Sequence, residues 1–413
     1  MVFRVLHSAD WHIGQTINGW ERSFEHEAFF AQLGDLIEEH DVDALVMAGD
    51  VYDNQNPSAE STRLLYEVLA GFKRRQPHLT TILTAGNHDP AGRLEAPKVL
   101  FKEVGVHAVG MMWRGEGGID LSHHLLPLKD RQGNALAYCL AIPFPRASDL
   151  PGLASVTDGE GSPVVKAVAS LYEEAVCQAK GAVGDLPLIV TGHLHVSGAD
   201  ESEGAERRIL IGGEHAVPFH VFEESLAYVA LGHLHKPQKI GRETIRYSGS
   251  PFPLSVSEAG YQHGVNLLEF EGGQLELHRL PLDRPVLFHR LSGKNGLLLE
   301  EVVPALDGLQ LDEALPVRQR PFVHVDLKQQ TSAQGLRAEV DQILSTYPVR
   351  GTGVSIVAQE RKSKALNQEV ESLRRLEDLK PEDLFLSAFE DEHGEKPQSV
   401  HLDLFHKALV EVE

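Results

Sequence analysis

Cysteine is scarce in this chain of 413 residues: there are two, Cys139 and Cys177, and neither is part of a C-x-x-C pair. That content is typical of a reducing compartment and argues against a fold held by disulfides, so we expect a cytoplasmic location. Apolar runs are short, and none approaches the ~20 residues that a membrane helix needs. The first residues read as a strand and lack the charged and apolar regions of a signal peptide. We therefore expect no membrane partner.

Positive charge is also in short supply. Lysine and arginine total 38 against 60 aspartates and glutamates, which gives a net charge of -22. General affinity for DNA comes from cations that neutralise phosphates, so this balance argues against a simple DNA-coating protein. The hydrophobic fraction of 42% is that of a globular protein with a buried core. The length predicts one domain of more than about 200 residues with one or two smaller ones.

Five apolar runs rich in β-forming residues occur early in the chain, and each ends at a polar side chain. They are FRVLHSAD ending at Asp10, DALVMAGD at Asp50, TTILTAGN at Asn87, LPLIVTGH at His193 and LAYVALGH at His233. Nearly continuous hydrophobic strands indicate a sheet buried on both faces. Residues 24–39 and 59–72 place apolar side chains at helical spacing, so helices are predicted to cover the sheet. Ligands of open α/β sheets bind outside the carboxyl ends of the strands, where the five clusters are expected to converge.

The pattern changes after residue 240, and it predicts three domains. Residues 265–282 alternate across an EGGQ turn like a hairpin, which closes a first domain over 1–283. Strand-like FVHVDL, a helix-like run over 333–344 and alternating GVSIVA predict a small α+β domain over 284–358. Residues 359–413 read as short, acidic, amphipathic helices that need a surface to pack on, either a partner or their own domain.

The five clusters carry side chains that bind metals. Taken singly, a D-x-H pair, an aspartate after a strand or one buried histidine more often has a structural role. The ordered set of D-x-H, G-D, G-N-H-D, G-H and G-H-x-H makes a purely structural explanation improbable. The candidate ligands are Asp10, His12, Asp50, Asn87, His193, His233 and His235. Mixed carboxylate, amide and imidazole donors suit manganese, iron or magnesium better than a metal that prefers thiolates.

These motifs resemble those of the calcineurin-like metallophosphoesterase superfamily and, within it, the branch of double-strand-break repair nucleases. The resemblance is carried by SADWHIGQ, AGDVYDN, AGNHDPAGRLEAP, TGHLHVSGA, ALGHLHKPQ and RYSGSPFPLS, and it is strong over residues 1–280. Phosphatases of the superfamily usually have GNHE and an arginine-bearing GDxxDRG loop, whereas this chain has GNHD and Asn54. The resemblance implies an α/β sandwich of sheets flanked by helices, with a small capping α+β domain and C-terminal helices.

The resemblance also implies roles for the site residues. Asp10, His12 and His235 would hold one ion, and Asp50 would bridge to a second. That second ion would be held by Asn87, His193 and His233. The family usually uses two Mn²⁺, with Mg²⁺ or Fe as alternatives. His88 matches the family's catalytic histidine, which would stabilise or protonate the leaving 3′ oxygen. Asp53 stands where archaeal relatives have a histidine, and His195 is expected to be a supporting residue rather than a ligand.

The implied activity is a two-metal DNA nuclease that cuts double strands as an exonuclease and single strands or hairpins as an endonuclease. The implied setting is DNA repair and recombination, with a coiled-coil ATPase as partner and a homodimer of the nuclease subunit. Arg93, Lys236, Arg207 and Arg208 are candidate phosphate contacts, although each is more often a plain surface charge. Two other readings stay open: a phosphodiesterase or phosphatase acting on small molecules or phosphoproteins, and a scaffold with a vestigial site.

Overall fold

A computed structural model describes residues 2–150, 162–202, 216–293, 295–328, 333–357 and 401. By backbone contacts, residues 1–357 form one compact unit and residues 358–413 a second. The amphipathic helices predicted over 359–413 lie outside the described residues, apart from the single position 401. None of the described helices is long and apolar enough to cross a membrane.

The described strands and helices follow one another along the whole of the first unit. The strands are β1 (Phe3–Ser8), β2 (Thr16–Ile17), β3 (Trp20–Glu21), β4 (Ala44–Ala48), β5 (Thr80–Thr84), β6 (Val106–Val109), β7 (Arg114–Gly115), β8 (Gly118–Ile119), β9 (Leu125–Lys129), β10 (Ala135–Leu140), β11 (Leu188–His193), β12 (Tyr228–Gly232), β13 (Gln238–Ile240), β14 (Arg242–Tyr247), β15 (Gly264–Glu271), β16 (Gln274–Pro281), β17 (Phe288–Leu291), β18 (Phe322–Lys328) and β19 (Arg350–Val357). The helices are α1 (Ser23–Glu39), α2 (Ala59–Arg75), α3 (Ala91–Glu95), α4 (Lys98–Glu103), α5 (Leu121–His124), α6 (Pro163–Val183), α7 (Val302–Asp307) and α8 (Ala333–Leu344).

Two six-stranded sheets form the main body. The first has the order β16-β15-β1-β4-β5-β6, and the second has the order β13-β14-β12-β11-β10-β9. In the first sheet β1, β4, β5 and β6 run parallel, and β15 and β16 are antiparallel to their neighbours. In the second sheet β10, β11, β12 and β14 run parallel, with antiparallel strands at both edges. This arrangement is the α/β sandwich that the motifs predicted.

The sandwich has three apolar layers. Between the sheets, Val46 and Ile82 of the first pack in one cluster with Ile189 and Ala230 of the second. Helices α1 and α2 cover the outer face of the first sheet, and α6 covers that of the second. Because these parallel strands are buried on both faces, they read in the sequence as continuous hydrophobic runs.

One expectation about the sheet was wrong. The five runs that end in polar residues do not belong to a single sheet: β1, β4 and β5 lie in the first sheet, whereas β11 and β12 lie in the second. Their carboxyl ends still meet at one edge of the sandwich, because β4 packs against both β11 and β12 across the interior.

A small three-stranded parallel sheet, β17-β18-β19, follows the β15-β16 hairpin. It has its own apolar cluster with α7 and α8, in which Val325, Leu336 and Val340 are buried. Arg350 of β19 lies over the ring of Phe322, with its guanidinium carbon 3.7 Å from the ring centre. The same side chain donates to the carbonyl of Glu21 at 3.3 Å, which connects this sheet to β3. The domain limits 1–283, 284–358 and 359–413 stay predictions.

Candidate metal centre

Histidine and aspartate side chains gather where the five strands end. Three overlapping groups each bring their donor atoms within 4.8 Å of one another. The groups are Asp10 with His12 and His235, His12 with Asp50 and His88, and Asp10 with Asp50 and His193. The sequence separates these residues by up to 225 positions, and the sandwich edge brings them together.

Asp50 lies at the middle of the cluster. Its Oδ2 is 3.4 Å from Nε2 of His12 and 3.3 Å from Nε2 of His193. Its Oδ1 accepts a hydrogen bond from the backbone N–H of His88 at 2.9 Å. One carboxylate therefore faces both halves of the site, which is the position that a bridging ligand needs.

Hydrogen bonds at Nδ1 fix the ring orientations of His193 and His235. Nδ1 of His193 donates to the carbonyl of Ala48 at 2.9 Å, and Nδ1 of His235 donates to the carboxylate of Glu258 at 2.9 Å. Each bond holds a proton on Nδ1, so Nε2 is the ring nitrogen that faces the cluster and would bind a metal, the arrangement typical of metal-binding histidines.

The remaining two candidate ligands belong to the same cluster. Oδ1 of Asn87 lies 3.0 Å from Nε2 of His193. The ring of His233 lies 5.3 Å from that of His193, and its backbone N–H donates to Oδ1 of Asp10 at 2.9 Å. The structure thus brings all seven predicted ligand side chains to one place; their binding of a metal stays a proposal.

Backbone strain is concentrated here. Asp10, His12, Asp50 and His233 have φ values of 54°, 46°, 57° and 97°. Residues other than glycine rarely adopt this left-handed backbone conformation. Such strain persists where function requires it. Close approach adds to the constraint, because a Cβ on Gly49 would lie 2.0 Å from Nδ1 of His193.

The electrostatics of the buried cluster favour an added cation. Burial raises the pKa of Asp10 to about 7. Burial would lower the pKa of His193, but the carboxylates of Asp50 and Asp10 raise it to about 9. Although burial opposes it, His193 and His12 hold the pKa of Asp50 well below its ordinary value. Without a metal, the cluster therefore holds a proton that the carboxylates of Asp10 and Asp50 stabilise on His193. A metal cation would supply positive charge at the same place.

The donor set fits a divalent metal ion. Oδ2 of Asp10 and Nε2 of His12 are buried, and neither has a hydrogen-bond partner among the described residues. Nε2 of His12 has a 3.4 Å contact with the carboxylate of Asp50 instead. Leaving buried polar atoms without a hydrogen bond costs free energy, roughly 1–3 kcal/mol each. Carboxylate oxygen and imidazole nitrogen are both ligands of divalent ions, so a bound ion would satisfy both atoms.

His88 and Asp53 occupy one side of the cluster. Nδ1 of His88 donates to the carbonyl of Asp53 at 2.6 Å, and the Asp53 carboxylate lies 3.3 Å from Nδ1 of His12. Asp53 therefore orients two histidines at once, His88 through its backbone carbonyl and His12 through its carboxylate. The rings of His12 and His88 lie 4.8 Å apart, so geometry alone also admits His88 as a ligand.

Sequence reasoning missed two carboxylates that support the site. Asp89 is buried and accepts hydrogen bonds from the backbone N–H groups of Val51, Tyr52 and Gly86, which joins the loops after β4 and β5. Its place in the G-N-H-D motif was the available signal. Glu258 is buried behind His235, and an isolated glutamate in SVSE gave no signal.

The other positions considered from the sequence lie outside the cluster. His195 contacts Glu201 at 3.2 Å. Arg93 donates to Asn56 at 2.7 Å, and Lys236 pairs with Asp200. Arg207 and Arg208 lie outside the described residues.

Comparison with known proteins agrees with this geometry. The family model described as calcineurin-like phosphoesterase matches residues 3–237. A second model, described as type 5 capsule protein repressor C-terminal domain, matches residues 290–393. The SbcD subunit of the nuclease SbcCD from Rhodobacter capsulatus is 48% identical over 387 residues, covering 94% of each chain.

Two further relatives carry the same name. The protein of Escherichia coli K12 is 30% identical, with 90% of each chain covered. That of Bacillus subtilis is 34% identical over 66% of this chain and 67% of its own. The first model covers more than half of the chain, and the identity extends over nearly its whole length. This chain belongs to the calcineurin-like phosphoesterase family, in its group of SbcD subunits of SbcCD nucleases.

Proposed function

We propose that the protein is a two-metal nuclease that hydrolyses phosphodiester bonds in DNA. The observation that carries this proposal is the convergence of seven donor side chains, with Oδ2 of Asp10 and Nε2 of His12 buried and without a hydrogen-bond partner among the described residues. The relatives' name supports DNA-processing activity over a small-molecule phosphodiesterase or a phosphoprotein phosphatase.

Each half of the cluster holds one ion in this proposal. Asp10, His12 and His235 form the first half, and Asp50 faces both halves. Asn87, His193 and His233 form the second. A pair of divalent ions, when bound, supplies the Lewis acidity that activates water and neutralises charge on the reacting phosphate. Mn²⁺ is the proposed metal, with Mg²⁺ or Fe as alternatives, because the donors are oxygen and imidazole without thiolate.

His88 acts on the leaving group in this proposal. Its Nδ1 proton is held by the carbonyl of Asp53, which leaves Nε2 to face the substrate. A proton on Nε2 would pass to the 3′ oxygen as the bond to phosphorus breaks. Asp53 thereby fixes the ring that transfers this proton, while its carboxylate steadies His12.

We also propose two protein partners, an ATPase subunit and a second copy of this chain. The name shared by the relatives describes one subunit of a two-part nuclease, so we propose an SbcC-type coiled-coil ATPase as partner, docked by the helices predicted over 359–413. A homodimer is proposed through α2 and α4, where Tyr66, Val99 and Leu100 expose 41%, 72% and 73% of their surface. Exposed apolar side chains in one region are typical of a protein interface. The cytoplasm and double-strand-break repair are the proposed setting.

A nuclease assay tests the central proposal. The full chain with Mn²⁺ is expected to degrade linear double-stranded DNA and to cut a hairpin oligonucleotide, and to stop when the metal is chelated. His88→Gln is expected to reduce cleavage about 10²–10⁴-fold, whereas His220→Gln, a change at an exposed histidine, is expected to leave cleavage intact. Hydrolysis of a phosphopeptide or of a small phosphodiester without DNA cleavage would favour the phosphatase reading. Two bound ions without any hydrolysis would favour a scaffold.

A further inference from the structure

A cavity of about 1070 Å³ opens beside the metal centre, between the edge strands of the two sheets. Lys236, Arg246, Arg279 and Arg284 contribute to its wall, and the described residues that line it include no aspartate or glutamate. The chain as a whole carries a net charge of -22. Lys236 pairs with Asp200 and Arg246 with Glu243, so Arg279 and Arg284 are the cations of the wall that have no carboxylate partner among the described residues. Cationic groups of this kind attract anions into the cavity.

Arg279 of β16 forms the floor of this cavity. Its Nη1 donates to Oδ1 of Asn266 at 3.2 Å, whereas its Nη2 is buried and has no hydrogen-bond partner among the described residues. Burial, helped by the charge of Arg246, lowers the pKa of Arg279 to about 10. A buried guanidinium beside a second cation is costly unless an anion joins it.

The network behind Arg279 is made of neutral groups. Asn266 donates to the hydroxyl of Tyr228 at 3.2 Å, and that hydroxyl lies 3.0 Å from Nδ1 of His7. Burial lowers the pKa of His7 to about 3, so its ring is neutral. None of these groups compensates the charge of Arg279, so an anion held in the cavity would stabilise it.

The size of the cavity and its other wall residues indicate which kind of anionic ligand it binds. A volume near 1000 Å³ is that of a site for a ligand of nucleotide size, well above the needs of a single phosphate. The half-buried ring of Tyr261 and the exposed side chain of Leu287 line the same space. Aromatic and apolar surfaces of this kind are where bases stack.

We propose that this cavity binds a nucleotide through its phosphate group. Arg279 and Arg246 hold the phosphate, because guanidinium groups bind phosphate oxygens in pairs. Tyr261 and Leu287 contact the base. The nucleotide is either part of a DNA strand that continues from the metal centre or a free mononucleotide, and the chemistry recognised is the same.

The cavity is joined to the metal centre by a short chain of hydrogen bonds. Nδ1 of His263, in the cavity wall, donates to the carbonyl of Ser250 at 2.9 Å. The hydroxyl of Ser250 donates to Glu258 at 3.1 Å, and Glu258 accepts from His235. Lys236, which follows His235 directly, also lines the cavity. A strand bound here is therefore close to the ions without using any of their ligands.

Binding to metal-free protein tests the proposal independently of catalysis. The full chain is stripped with EDTA, and calorimetric titrations use thymidine 5′-monophosphate, thymidine and inorganic phosphate. The monophosphate is expected to bind at least ten times more tightly than either thymidine or phosphate. Equal affinity for thymidine and its monophosphate would overturn recognition of the phosphate, and equal affinity for inorganic phosphate would overturn recognition of the base.

Variants connect the binding to the named residues. Arg279→Gln and Arg246→Gln are each expected to weaken monophosphate binding at least tenfold, whereas Arg114→Gln, at a cation paired with Glu174 elsewhere, is expected to leave it unchanged. Arg246 lies on the rim, so its variant tests the proposal even where loss of Arg279 disturbs folding, which a thermal melt reports. Unchanged affinity in folded variants would overturn the proposal.

A fluorescently labelled single-stranded oligonucleotide, dT12, distinguishes a DNA strand from a free mononucleotide as the ligand of the cavity. Anisotropy with dT12 in EDTA is expected to show the same loss in both variants when the cavity holds a DNA strand. Monophosphate binding that depends on Arg279 while dT12 binding does not would identify a free nucleotide as the ligand. Both results support the cavity as a phosphate site, and nuclease activity is measured separately with Mn²⁺, so failure of one proposal is distinguishable from failure of the other.

Discussion

Glu258 accepts a hydrogen bond from Nδ1 of His235 at 2.9 Å, and both side chains are buried. The carboxylate also accepts from the hydroxyl of Ser250 and from the backbone N–H of Leu254, at 3.1 and 2.9 Å. Its position is therefore fixed from three sides. A carboxylate held in this way orients the ring of His235 and increases the basicity of its Nε2.

Glu258→Gln is expected to weaken metal binding. The amide can still hydrogen-bond, but it lacks the charge that makes Nε2 of His235 a strong donor to a cation. Loss of such a supporting carboxylate typically costs about 10–100-fold in metal affinity. Calorimetric titration of Mn²⁺ into stripped protein measures the change. Glu174→Gln, at an exposed ion pair, is the matched control, and equal Mn²⁺ affinity for all three proteins would contradict the role given to Glu258.

His88→Gln is expected to reduce cleavage about 10²–10⁴-fold with little change in metal content, because a proton donor to the leaving group has that effect on rate. The structure also places His88 within 4.8 Å of donor atoms of His12 and Asp50, so a ligand role predicts a different outcome. Metal stoichiometry by atomic emission and kcat on a DNA oligonucleotide separate the two. Loss of one ion per chain would assign His88 to the ligands.

Gly86→Ala is expected to damage both stability and metal binding. A Cβ at this position would lie 2.1 Å from Oδ1 of Asp50 and 2.4 Å from its backbone nitrogen. Overpacking of this kind costs roughly 1–3 kcal/mol and displaces the neighbouring group. Gly92→Ala is the matched control, because a Cβ there meets nothing within 4 Å. Thermal melts with and without Mn²⁺ test this, and equal behaviour of the two variants would refute it.

The two cysteines are expected to differ in reactivity. Cys139 is buried between the sheets, and burial raises the pKa of its thiol to about 12, whereas Cys177 is exposed on α6. The thiolate is the reactive form, so native protein is expected to react at one thiol with a disulfide reagent and unfolded protein at two. Cys177→Ser should abolish the native reaction. Rapid labelling of two thiols in the folded chain would be inconsistent with the buried position of Cys139.

Stability is expected to fall in acid partly through His7. Burial and the charge of Arg279 lower the pKa of His7 to about 3, against an ordinary 6.5. As the pH drops below 6.5, the unfolded chain binds this proton while the folded chain does not, so the free energy of unfolding decreases. One such group contributes about 1.4 kcal/mol per pH unit.

Urea unfolding of wild type and His7→Gln at pH 7.0, 6.0 and 5.0 measures this contribution. The slope of the unfolding free energy against pH should be smaller in the variant by close to one proton. Arg279 faces His7 in the same network, so Arg279→Gln is the second variant to compare. Identical slopes for wild type and His7→Gln would show that His7 is not the neutral buried group described.

The sequence determined much of the local structure. The helix predicted over 24–39 is α1 (Ser23–Glu39), because its apolar spacing matches one face of a helix. The EGGQ turn joins β15 and β16 through Gly272 and Gly273, whose positive φ values glycine adopts without strain. The strands that are buried on both faces were recognisable as continuous apolar runs, and the polar residues at the ends of these runs predicted the site. These features depend on residues close together in the chain.

Tertiary structure alone decided the rest. Whether β4 and β11 share a sheet or face each other across a core depends on partners far away in sequence, and an apolar run reads the same in both cases. Glu258 behind His235 and the uncompensated Arg279 are ordinary residues in the sequence. What makes them notable is their burial beside particular neighbours, because the cost of a buried charge and the strength of a buried hydrogen bond exist only once the chain has excluded water around them.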